Sequence, residues 1–215
     1  MTRALLFDMD GVLVDTEKVH QAARLLVYQK YGMDFEKLKD IPVIGRNTDA
    51  IFLDVQARLP FPVPLTQVIG EKRDIFVSLL RGPIEPLPGV KKLLAEYRGK
   101  LKIALVSASA RQNIEAVMNN TGLYIYFDTI VCAEDVKFFK PDPESYLLGA
   151  RKLGVEPAEC VVFEDSRVGV LAAKNAGARV VGVTTGHGGE SLPLADLVVA
   201  DMAVGSREIK RFIGV

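Results

Sequence analysis

Residues 3–20 read RALLFDMDGVLVDTEKVH, and this stretch decides how the rest of the chain is interpreted. The short apolar run at residues 4–7 predicts a buried strand, and Asp8, Asp10 and Gly11 follow it closely. Carboxylates at the end of a buried strand cost free energy unless another group pairs with them. The stretch therefore predicts a site at this strand end, with a partner for both acids.

Short apolar runs alternate with helix-like segments over most of the remaining chain. The runs are rich in Val, Ile and Leu without polar alternation, which is typical of strands covered on both faces. We predict strands at residues 4–7, 102–107, 129–132, 160–164, 179–183 and 196–200, and helices at 89–98, 110–122, 142–154 and 165–177. Ser109 is the predicted cap of the second helix. This alternation predicts a doubly wound parallel α/β sheet.

Residues 17–81 interrupt the alternation. They contain helix-like segments at about 16–31, 47–58 and 66–80, without a clear strand pattern. The sequence therefore predicts two domains: an α/β core formed by residues 1–16 and 82–215, and a helical cap formed by residues 17–81. An insertion at this point lies beside the carboxyl end of the first strand, where open α/β sheets bind their ligands.

The composition narrows the class of protein. The 215 residues include 27 Lys and Arg against 27 Asp and Glu without a basic block, which argues against nucleic acid as a partner. The sequence has neither an apolar run long enough to span a membrane nor a secretory signal pattern, so we expect a cytoplasmic protein without a membrane partner. Cys132 and Cys160 lie in apolar runs and are expected to be buried thiols.

Polar side chains follow four of the predicted strands. In chain order they are Asp8 and Asp10, Ser107, Lys140, and finally Glu164 and Asp165. Because the carboxyl ends of parallel strands meet at one edge of a sheet, we expect these side chains to converge. Four carboxylates beside one ammonium repel one another without a cation. Oxygen ligands without Cys or His favour Mg²⁺ over Zn²⁺.

This set of residues suits the transfer of a phosphoryl group. An Asp beside a metal can attack phosphorus, as enzymes with an aspartyl-phosphate do. A second carboxyl can donate a proton to the leaving oxygen and then deprotonate water. Lys140, the Ser107 hydroxyl and the backbone N–H groups at the following helix start can hold the phosphoryl group.

Four segments, in this order, resemble the motifs of the haloacid dehalogenase superfamily. They are DMDGVLVD at residues 8–15, VSAS at 106–109, the Lys before PDP at 140, and FEDS at 163–166. The helical insertion resembles the cap of the subgroup that holds phosphoglycolate-phosphatase-like and β-phosphoglucomutase-like enzymes. The resemblance implies a Mg²⁺-dependent phosphatase that acts on a small phosphate ester, a sugar phosphate or phosphoglycolate, through an aspartyl-phosphate.

The resemblance also implies a role for each site residue. Asp8 would be the nucleophile, and Asp10 would be the general acid and base. Ser107, Ala108 and Lys140 would bind the phosphoryl group. Because halide-removing members of the superfamily lack the second Asp, the presence of Asp10 argues against dehalogenation.

The metal ligands follow from the same resemblance. Mg²⁺ would be held by Asp8, by the backbone carbonyl of Asp10, and by Glu164 and Asp165. The sequence does not determine the oligomeric state, and we expect a monomer or a weak homodimer.

The cap contains the residues expected to determine specificity. His20 and Lys72 occupy positions near the active site in β-phosphoglucomutase-like sequences, and Arg46 lies in a segment that resembles their specificity loop. Thr48 stands where the mutases have Arg, and Ala110 stands where they have Lys. A mutase must bind a second phosphate, which needs a dedicated cation. We therefore predict a phosphatase, with a sugar phosphomutase as the alternative and a non-catalytic binding protein as a third hypothesis.

Overall fold

The computed structural model of the protein describes residues 1–43, 45–184 and 191–214. Its strands are β1 (Ala4–Phe7), β2 (Lys102–Val106), β3 (Thr129–Val131), β4 (Cys160–Glu164), β5 (Arg179–Val183) and β6 (Leu197–Val199). They form a parallel sheet in the order β3-β2-β1-β4-β5-β6. This order places β1 between β2 and β4, in the interior of the sheet.

Helices connect the strands and form the insertion. They are α1 (Glu17–Lys30), α2 (Thr48–Arg58), α3 (Leu65–Leu79), α4 (Val90–Tyr97), α5 (Arg111–Thr121), α6 (Glu144–Leu153), α7 (Arg167–Asn175) and α8 (Ser206–Ile213). Short 3₁₀ helices lie at Phe35–Lys37, Tyr124–Tyr126, Ala133–Asp135 and Pro157–Glu159.

Both faces of the sheet are covered. Leu5 and Phe7 of β1 pack in one apolar cluster with α4, α5 and α8, whereas Ala4 and Leu6 pack in another with α6 and α7. Alternate residues of a strand point to opposite faces, so a strand buried on both sides is apolar throughout. All four residues of β1 are buried. The predicted doubly wound α/β fold is confirmed.

Helices α1, α2 and α3 follow β1 and form a separate apolar cluster. Val27, Phe52, Val55 and Val68 are all fully buried in this cluster. The helices therefore have a small core of their own, as a cap domain needs. The domain boundaries themselves, at residues 17 and 81, remain a prediction.

Two local features differ from the sequence prediction. Ala110, rather than Ser109, precedes the first residue of α5, and the N–H of Arg111 at the start of that helix donates to Glu134 at 3.0 Å. The Ser109 hydroxyl instead donates a hydrogen bond to Asp10. Helix α8 was not predicted, and its buried residues, Ile209 and Ile213, pack against the sheet.

The two cysteines are buried and free, as expected. Burial raises the pKa of each thiol to about 12. Among the helices that the structure describes, none is both long and apolar enough to cross a membrane.

Candidate active site

The first two acids are positioned by β1 and the tight turn after it. Asp8 continues the sheet, because its backbone N–H donates to the carbonyl of Phe163, 3.0 Å away. Gly11 turns the chain with a φ of +83°, which a residue with a Cβ rarely adopts. A Cβ at this position would lie 1.7 Å from Oδ2 of Asp165. Gly11 therefore provides the turn and also the space that brings Asp165 beside the β1 loop.

Lys140 joins the first and fourth strand ends through ion pairs. Its Nζ lies 2.6 Å from Oδ1 of Asp8 and 2.6 Å from Oε1 of Glu164. The side chain is only 3% exposed. Burial opposes the charge of Lys140, but the two carboxylates outweigh it and raise the pKa well above its ordinary value. Lys140 is therefore a fixed buried cation beside Asp8.

Glu164 forms an ion pair with the Lys140 ammonium and is itself held by several hydrogen-bond donors. Its Oε1 also accepts a hydrogen bond of 2.7 Å from the Tyr146 hydroxyl. Its Oε2 accepts from the backbone N–H of Asp165 and from both the N–H and the hydroxyl of Ser166, at 3.0–3.1 Å. Both carboxylate oxygens are thus engaged by donors, and Glu164 is 1% exposed. This places Glu164 as the support of Lys140, and its predicted role as a metal ligand stays a prediction.

Asp10 accepts hydrogen bonds from two hydroxyls. Thr16 donates to Oδ1, and Ser109 donates to Oδ2 at 3.1 Å. Nε2 of His20 lies 3.5 Å from Oδ1. Burial disfavours the charged form of Asp10, but the interactions with His20, Thr16 and Ser109 outweigh burial and lower the pKa to about 2. Asp10 is ionised in this geometry.

Lys72 and His20 connect the cap to Asp10. Nζ of Lys72 lies 2.7 Å from Nδ1 of His20 and 3.3 Å from the hydroxyl of Thr48, and the His20 ring stacks on Phe76. Burial and then Lys72 lower the pKa of His20, and burial lowers the pKa of Lys72 to about 7. A neutral His20 that accepts from Lys72 at Nδ1 carries its proton on Nε2, which faces Asp10.

A small cavity of about 50 Å³ lies between the strand ends and the cap. Seven of the predicted site residues line it: Asp8, Asp10, Ala108, Lys140 and Asp165 from the core, with His20 and Arg46 from the cap. The cavity is not lined by three other predicted site residues, Ser107, Lys72 and Glu164. Ser107 is buried, and its hydroxyl accepts from the N–H of Ser109 at 3.0 Å.

Arg46 lines the cavity, but its guanidinium already has a partner. Nη2 of Arg46 lies 2.8 Å from Oδ2 of Asp54, and Nη1 donates to the carbonyl of Pro42 at 2.9 Å. The predicted role of Arg46 in binding substrate remains a prediction, and its charge is offset by Asp54 in this structure.

Further residues of the cavity lining were not predicted: Glu17, Arg24, Val43, Gly45, Thr48, Ile51, Ser109 and Ser166. Ser109 and Ser166 belong to the VSAS and FEDS segments, so these motifs could have identified both residues as part of the site. Glu17 and Arg24 look like ordinary charged residues of a helix face, and only the packing of α1 over the core places them here.

The cap and core touch closely around this cavity. Asn47 accepts from the N–H of Asp49, the second residue of α2, and donates at 2.8 Å to the carbonyl of Ala108 in the core. Gly45 has a φ of +67°, and a Cβ on it would lie 2.5 Å from the Ser166 hydroxyl. The close approach of cap and core therefore rests on the Asn47 bridge, on further polar contacts such as that from Gln112 Nε2 to Asp74 Oδ1 at 3.0 Å, and on the small size of Gly45.

The donor chemistry at the strand ends fits Mg²⁺. Burial raises the pKa of Asp8, and the carboxylates of Glu164, Asp165 and Asp10 raise it further against the opposing effect of Lys140. A divalent cation would offset this excess of negative charge. Within the described ranges, no three His, Cys, Asp or Glu side chains form a ready-made metal cluster. Mg²⁺ needs no such cluster, because it binds few carboxylates and completes its shell with other oxygens.

Comparison with known proteins agrees with the fold. Residues 2–177 match the haloacid dehalogenase-like hydrolase family. The chain belongs to this family, which confirms the resemblance seen in its motifs.

Relatives of the chain include bacterial sugar phosphatases. Fructose-1-phosphate phosphatase YqaB of Escherichia coli K12 is 38% identical over 83% of this chain and 95% of that protein. Hexitol phosphatase B of the same organism is 35% identical over 83% of this chain and 82% of that protein. The crystal structure of β-phosphoglucomutase from Clostridium difficile has a TM-score of 0.82 at 30% identity, covering 98% of this chain and 96% of that one.

Proposed function

We propose that the protein is a Mg²⁺-dependent phosphatase that hydrolyses a small sugar phosphate through an aspartyl-phosphate on Asp8. The observation that carries this proposal is the position of Asp8, which lies at the end of the interior strand, 2.6 Å from a buried ammonium and two residues before Asp10. The similarity to phosphatases of fructose 1-phosphate and of hexitol phosphates supports the choice of substrate class.

The first half of the reaction transfers the phosphoryl group to the enzyme. An oxygen of Asp8 forms a bond to phosphorus while the bond from phosphorus to the sugar oxygen breaks. Lys140 and the backbone around Ala108 hold the phosphoryl oxygens. Asp10 donates a proton to the sugar oxygen as it leaves. A substrate dianion beside Asp10 raises the pKa of this carboxyl, which favours the protonated form that the step needs.

The second half restores the enzyme. Asp10, ionised after the first half, takes a proton from water as the water oxygen attacks phosphorus. The bond from phosphorus to Asp8 then breaks and inorganic phosphate leaves. The hydrogen bonds from Thr16 and Ser109 hold Asp10 in a fixed position through both halves.

Mg²⁺ would be held by the carboxylates of Asp8 and Asp165 and by the carbonyl oxygen of Asp10. When bound, it would supply positive charge against the phosphoryl oxygens and the surrounding carboxylates.

The small volume of the cavity requires the cap to move for substrate to enter. Sites for small molecules measure roughly 300–1,000 Å³, whereas this cavity measures about 50 Å³. The cap therefore acts as a lid that opens for substrate and then excludes bulk water.

Replacement of Asp8 tests the proposed function. Asp8→Asn removes the nucleophile, so release of phosphate from fructose 1-phosphate and from p-nitrophenyl phosphate should fall by about a thousandfold or more. The exposed acid Asp15, on the same loop, provides the matched control Asp15→Asn, which should retain activity. Activity of the wild-type protein should also disappear in EDTA and return with Mg²⁺. Near wild-type turnover by Asp8→Asn would overturn the nucleophile assignment.

The alternative, a sugar phosphomutase, is less well supported. A mutase needs a cation for the second phosphate, and Arg46 in the cap is paired with Asp54. A coupled assay that converts β-glucose 1-phosphate to glucose 6-phosphate separates the two activities. Isomerisation much faster than phosphate release would favour the mutase.

A further inference from the structure

A partly buried ion pair on the cap side of the cavity is not used by the phosphoryl chemistry. Glu17 and Arg24 lie two turns apart on α1, and both line the cavity. Nη2 of Arg24 lies 2.9 Å from Oε1 of Glu17, and their side chains are 10% and 30% exposed. An arginine is rarely buried to this degree unless it is paired.

The charges around this pair favour a ligand with hydroxyl groups. Glu17 offsets the charge of Arg24, in the same way that Asp54 offsets the charge of Arg46. Lys72 lies close enough for the charge of Arg24 to lower its pKa, after the larger effect of burial. An additional anion at this wall would gain from Arg24 but would also face the carboxylate of Glu17.

A sugar hydroxyl suits this arrangement because it both donates and accepts hydrogen bonds. The guanidinium of Arg24 carries five N–H donors, and the bond to Glu17 uses one of its nitrogens. Glu17 provides acceptors beside them. The apolar side chains of Val43 and Ile51 also line the cavity and can contact the carbon atoms of a sugar.

We propose that Arg24 and Glu17 form a specificity subsite that binds the hydroxyl-bearing end of the substrate and disfavours a second anionic group there. This proposal rests on the proposed function for the identity of the substrate as a sugar phosphate. These two residues of α1 would select substrates whose far end is a neutral sugar over substrates whose far end is anionic.

Ligand binding to variants in an Asp8→Asn background tests the subsite without relying on turnover. The probes are fructose 1-phosphate, fructose 1,6-bisphosphate and inorganic phosphate, measured by calorimetry with Mg²⁺ present. Arg24→Met should raise the Kd for fructose 1-phosphate roughly 10- to 100-fold relative to the Kd for phosphate, because it removes charge-assisted hydrogen bonds. Lys18→Met, which removes a positive charge from the exposed side of the same helix, is the matched control and should leave this ratio unchanged.

Glu17→Gln provides a second test in the opposite direction. It keeps the shape of the side chain and removes its negative charge, so the affinity for the bisphosphate relative to fructose 1-phosphate should rise by about tenfold or more. A misfolded variant would not shift two ratios in these specific directions, and circular dichroism confirms folding independently.

The outcomes separate this subsite from the proposed function. The proposed subsite is wrong if the Asp8→Asn protein, with Arg24 and Glu17 intact, binds fructose 1-phosphate and phosphate with equal affinity. It is also wrong if Arg24→Met and Glu17→Gln both leave their Kd ratios unchanged. Selective binding of fructose 1-phosphate that depends on Arg24, in a protein whose wild-type form releases no phosphate, would retain the subsite and overturn the phosphatase.

Discussion

Glu164→Gln should destabilise the protein strongly although it preserves the shape of the side chain. Each oxygen of the Glu164 carboxylate accepts from a group that can only donate: the Lys140 ammonium at Oε1, and the N–H groups of residues 165–166 at Oε2. The hydroxyls of Tyr146 and Ser166 donate as well. The amide of Gln has one donor end, which would face donors in either orientation. The substitution also removes one of the two carboxylates that pair with Lys140.

The burial of the Lys140–Glu164 ion pair determines how much the substitution lowers the free energy of unfolding. The side chains of Lys140 and Glu164 are 3% and 1% exposed, so water cannot replace the lost partner. Removing one partner of a buried ion pair costs about 3–5 kcal/mol. For a chain of this length that corresponds to a decrease in Tm of roughly 6–20 °C. Because Asp8 still pairs with Lys140, we expect the lower half of this range.

Thermal unfolding followed by circular dichroism in EDTA measures the effect without a contribution from a bound cation. The matched control is Glu96→Gln, which removes the same charge from a surface pair with Lys210 at 2.7 Å. Exposed pairs contribute about 0–1 kcal/mol, so the control should change Tm by about 4 °C or less. Equal, small shifts for both variants would refute the claim that Glu164 is a buried anchor.

Two further outcomes follow from the local geometry. Gly11→Ala should abolish most activity and lower Tm, because the new Cβ would overlap the carboxylate of Asp165 and the residue has a φ of +83°. Phosphate release and thermal unfolding measure the two effects, and a fully active variant would contradict the prediction. Cys132 and Cys160 are buried with pKa values raised to about 12, so both thiols should stay protonated up to pH 9 and react slowly with Ellman's reagent until urea unfolds the chain; rapid reaction of the folded protein would disprove it.

The sheet and its convergent acids were predictable from local patterns. Each strand is a short apolar run, and the rule that parallel strands bring their carboxyl ends together placed Asp8, Lys140 and Asp165 at one cavity. The helices of the insertion were equally clear. Helix α8 was not, and only two of its residues, Ile209 and Ile213, are buried.

The partners of individual side chains required the tertiary structure. A serine before a helix is a good cap in sequence, but Ser109 donates to Asp10 because the β1 loop approaches it. Arg46 looked like a free cation, yet a turn of α2 places Asp54 beside it. The pairing of Arg24 with Glu17 is likewise compatible with any charged helix face. These choices depend on which segments meet, and spacing along the chain does not carry that information.

The interior position of β1 has a consequence for how the chain folds during synthesis. Ala4 pairs with Lys102 on one side and with Cys160 on the other. The strand that leads to Asp8 is therefore made early, stays without its first neighbour until about half of the chain has been made, and stays without its second neighbour until residues 160–163 follow. Contacts this distant in sequence slow folding and leave an apolar segment exposed meanwhile. The order of synthesis thus delays assembly of the site until the FEDS segment has been made.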